Sequence, residues 1–456
     1  MTTTLHADCA LVAGQWQRDV RVSIDAAGRI ASVHTDALPQ AGDQRLSDRV
    51  LLPAPGNLHS HAFQRAMAGR TERRSGANDS FWTWREQMYR FVDRMTPDHL
   101  LAVAALAYVE MLEAGYAAVA EFHYLHHAVG GAAYANIAET TSRIVAATET
   151  AGIGLTHLPV LYQRGGLDGR PPAGGQQRFA CDADRFATLM SAARDVLART
   201  RPDARLGVAP HSLRAVDSGG LKLAIELVQG GPIHIHIAEQ TGEVDEVLAA
   251  TGLRPVQWLL EHVPVDDRWC LLHATHLDDA EVASLAASGA TVGLAPVTEA
   301  NLGDGIFRAV DFRDAGGRFG IGTDSNVRID LAEELRTLEY GQRLQRRSRA
   351  VIADDDYSNG RVLFDAACAG GAAALGRASG EIAPGNWADL LTLDRTRLDL
   401  AGVTGDGWLD AWIFSAPGRV VRDVWSAGHH RVRDGRHVER EAVEAAYRRT
   451  LAELTG

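Results

Sequence analysis

Long apolar runs are missing from this chain: none of its 456 residues sits in a stretch approaching the roughly eighteen unbroken apolar positions that a membrane-spanning helix requires. That excludes a helical membrane span. Met1 to Arg18 also lacks a basic segment leading into a sustained apolar stretch, so nothing there has the form of a secretion signal, and the expected compartment is the cytoplasm. Cysteine is scarce. Cys9, Cys181, Cys270 and Cys368 stand far apart with no C-x-x-C pair, which excludes a disulfide framework and a cysteine-built zinc site and leaves buried free thiols. Positive charge is in deficit too, 46 Lys and Arg against 58 Asp and Glu, and a net charge of -12 repels a phosphate backbone. The expected partner is a small molecule, with no nucleic acid and no membrane. Internal repeats, coiled-coil patterning and low-complexity tracts are absent as well.

What is present changes texture along the chain. Short alternating segments at Cys9 to Val12, Val20 to Ile24 and Ile30 to His34 read as strands, and the same pattern returns at Asp389 to Leu393 and Val420 to Trp425. The two ends are therefore expected to pair into one small β domain, residues 1–52 with 380–438, followed by a surface helix over 439–456. Residues 53–379 alternate apolar strand-like runs with helical segments, the pattern of a parallel sheet wrapped by helices. Thr96 before Pro97 marks one helix start, an apolar stripe runs from Leu100 to Met111, and Gly115 stops it.

Eight strand candidates can be counted in that middle region: Leu51 to His61, Ala117 to Tyr124, Gly154 to Tyr162, Arg205 to His211, Pro232 to Ile237, Trp269 to His273, Ala290 to Pro296 and Arg318 to Asp324. Most deliver a His, Tyr, Asp or Glu at the C-terminal end. In a (β/α)8 barrel that end is the active-site face, because strand tips and the loops after them converge there. Two longer connections, Gln64 to Arg94 with Trp82 and Trp84 and Gln163 to Arg178 with its Gly and Pro, stand where lids over a barrel mouth would be.

Four of these strand ends carry metal-ligand chemistry. His59 and His61 are two apart, so strand alternation sends both imidazoles to one face. His236 ends Ile233-His234-Ile235-His236-Ile237, with Glu239 three residues beyond; spacing alone does not choose between His234 and His236, and His234 is assigned a structural role. His273 closes Trp269-Cys270-Leu271-Leu272, and Asp324 stands at the tip of the last strand candidate. Each residue alone has a structural explanation, but their joint order along successive strand ends points to a bound Zn2+, whose water has a pKa near about 7.

In that order, His59-x-His61, His236, His273 and Asp324 resemble the amidohydrolase superfamily, over nearly the whole chain. Gly380 to Leu390 resembles the point where such chains leave the barrel for a β-sandwich made from both termini. The resemblance implies an α/β fold, a (β/α)8 barrel with a small β-sandwich domain, with His59, His61, His236 and Asp324 as ligands and His273 used in catalysis. Many members bridge two metals with a carboxylated lysine after the fourth strand. Here His211 stands in that position and the sole lysine, Lys222, lies beyond it, so one ion per chain is expected, Zn2+ or with Fe2+ or another divalent ion as alternatives. In the deaminase branch, the Glu that matches Glu239 shuttles the proton that lets nitrogen depart, while His273 and Asp324 orient the water or accept its proton.

Further patterns resemble the formimidoylglutamate deiminases: Phe63-Gln64-Arg65, Glu121-Phe122-His123-Tyr124-Leu125-His126-His127, His211-Ser212-Leu213-Arg214, Ala295 to Gly305, and Trp82-x-Trp84-Arg85. They imply an anionic substrate with a formimidoyl group at the metal and two carboxylates pointing away. Guanidinium forks bind carboxylates in bidentate fashion, which makes Arg85 and Arg214 the candidates, with Gln64, Tyr124 and His211 adding hydrogen bonds. His123, His126 and His127 are read as lying outside the metal site. The resemblance also implies a homodimer. Two rivals remain: a related deaminase acting on a heterocycle such as guanine, cytosine or S-adenosylhomocysteine, and a non-catalytic binding protein of the same fold.

Overall fold

In the computed structural model residues 3–73, 81–418 and 420–456 are described; residues 74–80 of the first long connection lie outside them. The barrel strands are Gly56–Ser60, Ala118–His123, Gly154–Leu161, the short pair Arg205–Leu206 and Ala209–Pro210, Ile233–Ile237, Trp269–His273, Thr291–Leu294 and Arg318–Ile321. All pair in parallel with their neighbours. Isolated parallel bridges close the ring: Val208 with Ile233 and Ser212 with His236 on one side, Ser60 with Asp324 on the other. Helices follow the strands, so both faces of each strand are covered. Ile233–Ile237 and Trp269–His273 are accordingly buried at every position, and the sequence reads as continuous apolar runs.

Three of the expected strands are cut differently, each for a local reason. Leu51 to His61 is two strands: Gln44–Pro53 pairs with Leu390–Asp394 in the small sheet, and Gly56–Ser60 begins the barrel. Between them the Ala54 N–H turns to Asp389 O at 2.9 Å, and Pro55 has no N–H to continue a ladder. The fourth strand breaks at Gly207, where a Cβ would lie 2.5 Å from the Leu158 side chain and 2.7 Å from Pro232 O. The eighth strand ends at Ile321, and Gly322 to Asn326 form a turn rather than a strand tip.

Both chain ends meet in one eight-stranded sheet, ordered Ile30–His34, Gln15–Ile24, Thr3–Val12, Gln44–Pro53, Leu390–Asp394, Val421–Ser426, His429–Arg433 and Arg436–His437. Leu5, Val20, Val22 and Leu46 from the N-terminal strands share a separate apolar cluster with Leu390 and Trp425 from the C-terminal ones. The helix Pro97–Ala114 starts as its sequence indicates: the Thr96 hydroxyl accepts from the His99 N–H at 3.2 Å. The last helix, Arg440–Thr455, packs on it with Val443 and Leu454 buried. No described helix is long and apolar enough to cross a membrane.

Candidate metal centre and active site

The strand ends bring His59, His61, His236 and Asp324 together so that one donor atom from each lies within 4.8 Å of the others. His59 Nε2 is 3.2 Å from His236 Nε2 and 3.2 Å from Asp324 Oδ1, and His61 Nε2 is 3.3 Å from the same oxygen. Backbone carbonyls hold the far side of two rings: His61 Nδ1 meets Phe122 O at 2.9 Å and His236 Nδ1 meets His211 O at 3.1 Å. A carbonyl accepts only from N–H, so both rings carry the proton on Nδ1 and point an Nε2 lone pair into the cluster. Burial keeps the imidazoles neutral: it drives His59 down to about 3, with Asp324 pulling the other way, and lowers His61 and His236 similarly. Burial would raise the Asp324 carboxyl, but His59 and His61 outweigh it and hold it below the usual range. Neutral imidazole lone pairs beside an ionised carboxylate are the donor set of a Zn2+ site.

The ambiguity at strand five is resolved by geometry. His234 is turned away, its Nε2 2.8 Å from Ala374 O, while His236 faces the cluster. His123, His126 and His127 are also buried outside it, their Nε2 atoms held by Thr140 Oγ1, Val160 O and Ala180 O at 2.9–3.0 Å.

Asp324 reaches the cluster through an unusual turn. Its φ is 43° and that of Asn326 is 55°, left-handed values that non-glycine residues hold only where the surroundings impose them. Gly322 lets the turn approach the first strand, since a Cβ there would lie 2.7 Å from His59 N. Asn57 then ties the two together: its Oδ1 accepts from His59 N at 3.3 Å and Thr323 N at 3.1 Å, and its Nδ2 donates to Thr323 Oγ1 at 2.7 Å. Asn326 donates on to Ser60 Oγ at 3.1 Å. Sequence reasoning missed this set, although Asn57 stands two residues before His59.

Glu239 and His273 stand beside the cluster. His273 Nε2 is 4.0 Å from Glu239 Oε1 and 3.9 Å from Asp324 Oδ2, and its Nδ1 bonds Glu299 Oε1 at 3.2 Å. Burial pushes Glu239 up to about 7, against the pull of His273 and Arg214. Burial would depress His273, but Glu239, Glu299 and Asp324 together raise it to about 10. Glu299 also accepts from Ala295 N at 3.0 Å, which fixes the carboxylate that orients His273. Its role went unnoticed in the sequence although it lies within the Ala295 to Gly305 pattern.

A cavity opens over these groups, and Gln64, Arg85, Tyr124, His211 and Arg214 all line it. Gln64 Nε2 donates to the Tyr124 hydroxyl at 2.7 Å, and His211 Nδ1 meets Ser212 Oγ at 3.0 Å. The helix Phe81–Val92 supplies one wall. On it Trp82 receives the Arg85 guanidinium 4.5 Å from its ring centre and that of Arg214 at 5.7 Å, so one indole steadies both cations. Arg214 is buried on a loop pinned from behind, where Arg164 Nη2 donates to Leu213 O at 2.9 Å. Every residue expected at the site is thus found on this one cavity or in the donor cluster beneath it.

The chain is similar in sequence and fold to known proteins. Residues 50–431 match the amidohydrolase family, and residues 2–47 match the N-terminal domain described as formimidoylglutamate deiminase HutF. The chain is 50% identical to a formimidoylglutamate deiminase of Pseudomonas aeruginosa, over 99% of each chain. It is 28% identical to a 5-methylthioadenosine/S-adenosylhomocysteine deaminase of Natronomonas pharaonis, over 95% of each. The crystal structure of an amidohydrolase from Brucella melitensis superposes with a TM-score of 0.95 at 48% identity, covering 100% of both chains. An adenosine deaminase from Xanthomonas campestris, solved with bound zinc, shares the fold at a TM-score of 0.83 and 22% identity, over 99% of this chain and 98% of that one. A family match running from the small sheet through the whole barrel, over the same residues that gather the donors, makes this chain a member of the amidohydrolase family.

Proposed function

We propose that this chain hydrolyses N-formimidoyl-L-glutamate to N-formyl-L-glutamate and ammonia, a step of histidine degradation, with one Zn2+ held by His59, His61, His236 and Asp324. The observation that carries the substrate reading is the pair of arginines, Arg85 and Arg214, on one indole above a metal-type donor cluster. Guanidinium forks there suit the two carboxylates of the substrate, and the half-identical Pseudomonas aeruginosa relative carries the corresponding name.

A divalent cation at the four donors supplies a Lewis acid that makes a water nucleophilic near neutral pH. The rest falls to the side chains. The water oxygen forms a bond to the formimidoyl carbon, and the bond from that carbon to the terminal nitrogen breaks. Glu239 takes one water proton and delivers it to that nitrogen, then passes on the second as the new carbonyl forms, and the nitrogen leaves as ammonia. His273, held by Glu299, and Asp324 orient the water and stabilise charge at the reacting carbon. Arg214 and Arg85 take the carboxylates, while Gln64, Tyr124 and His211 hydrogen-bond the remainder of the substrate. The same reading carries a homodimeric enzyme of the cytoplasm, divided into a small β domain of residues 1–52 and 380–438, a barrel of 53–379 and a terminal helix of 439–456.

Ammonia release by the zinc-loaded protein tests it, comparing N-formimidoyl-L-glutamate with guanine, cytosine and S-adenosylhomocysteine. Preference for the formimidoyl compound is expected. Preference for a heterocycle would overturn the substrate while keeping the chemistry, and no turnover of any would favour a binding protein.

A further inference from the structure

Arg214 is a buried guanidinium, and a buried cation needs a counter-charge held in good geometry. Three carboxylates act on it: Glu243 most strongly, then Glu239 and the exposed Glu246. Glu243 is fully buried in the first turn of the helix Thr241–Thr251. One of its oxygens, Oε2, accepts from the Glu239 N–H at 3.2 Å; the other, Oε1, lies 3.9 Å from Arg214 Nε. Both Glu243 Oε1 and Arg214 Nε are buried without a hydrogen bond. A first-turn acid that served only its helix would have no need to leave an oxygen aimed at a guanidinium.

We infer that Glu243 is a positioning residue for substrate recognition: it holds the Nε edge of Arg214 and so presents the rest of the fork to a substrate carboxylate. This rests on the dicarboxylate reading above. The loose 3.9 Å pair closes to bonding distance when a substrate carboxylate engages the opposite edge of the guanidinium and draws the fork into line. The other Glu243 oxygen accepts from the Glu239 backbone N–H, an acceptor role that the side-chain amide of Glu243→Gln retains.

The test is steady-state kinetics of Glu243→Gln, which keeps the shape and an acceptor but removes the charge, on two substrates: N-formimidoyl-L-glutamate and a formimidoyl amine with no carboxylate. Loss of one charge-assisted contact corresponds to roughly tenfold or more in binding, so KM for the dicarboxylate should rise at least about tenfold. The kcat/KM of the carboxylate-free amine should stay within about threefold of wild type. Glu243→Asp, which retains the charge on a shorter arm, should recover part of the KM and serves as the readout if Glu243→Gln fails to fold. An unchanged KM in Glu243→Gln, or an equal loss on both substrates, would overturn the inference. If the wild-type protein itself releases no ammonia from N-formimidoyl-L-glutamate, the substrate reading fails first and takes this inference with it.

Discussion

At the scale of single residues, the site separates groups that hold from groups that transfer by what surrounds them. His61 and His236 have their Nδ1 protons committed to backbone carbonyls and are kept neutral by burial, so they serve as lone-pair donors and little else. Glu239 is different. Burial lifts its carboxyl to about 7, where it can both accept and return a proton near neutrality. Below about 7 the carboxyl is protonated and cannot take the proton of water, so kcat/KM should fall as pH drops through that value. Glu239→Gln is expected to lower kcat by about 10²–10⁴ and to erase that acid limb, while bound metal measured by elemental analysis stays at the wild-type level. A variant that keeps the limb would place the titration on another group.

At the scale of elements, the turn after the eighth barrel strand matters as much as the donors. Asp324 holds a left-handed φ of 43°, and the residue before it, Thr323, is tied by Asn57 to the first barrel strand from 266 residues away in sequence. Outer-shell partners of a ligand commonly contribute about 10- to 100-fold to metal affinity. Asn57→Ala should therefore weaken metal binding by that order, read as earlier loss of the ion in a chelator titration, with His59, His61 and His236 still in place. Unchanged affinity would mean that Gly322 and the closing bridge alone suffice. This turn also marks how far the sequence could be read. The strand ends and their His and Asp were legible because alternation and apolar runs are local signals. Asn57, Thr323 and Glu299 were not, because each matters only through a partner that folding brings from a distant strand. The break at Gly207 was hidden for the same reason: it depends on Leu158 and Pro232 crowding a Cβ from neighbouring strands.

At the scale of the whole molecule, the barrel and the sheet built from both chain ends are fastened by one buried arginine. Arg377 follows the helix Asn359–Leu375 and donates to Asp389, next to the small-sheet strand Leu390–Asp394, at 2.6 and 3.1 Å. Its other side donates to Asp203, just before the fourth barrel strand, at 3.0 Å to the carboxylate and 3.1 Å to the carbonyl. Asp389 extends the junction, accepting from Ala427 N at 2.7 Å with its side chain and from Ala54 N at 2.9 Å with its carbonyl. Nothing in the local sequence announced this hub, since its members Ala54, Asp203, Arg377, Asp389 and Ala427 come from five separate segments. Breaking a buried ion pair from one side costs about 3–5 kcal/mol because the remaining charges stay buried, so Arg377→Met should lower the melting temperature markedly at neutral pH. Asp203 gives the pH dependence. Burial pushes its carboxyl up, but Arg377 and Arg201 outweigh that and hold it below its usual 3.8. A lowered folded-state pKa means that the stabilisation is complete above 3.8 and is lost as pH falls below that value. The deficit of Arg377→Met relative to wild type should thus stay level from neutral pH to about 5 and narrow below about 4, in paired melts across that range. Equal melting temperatures at pH 7 would show that apolar packing of the small sheet against the barrel carries the junction without this arginine.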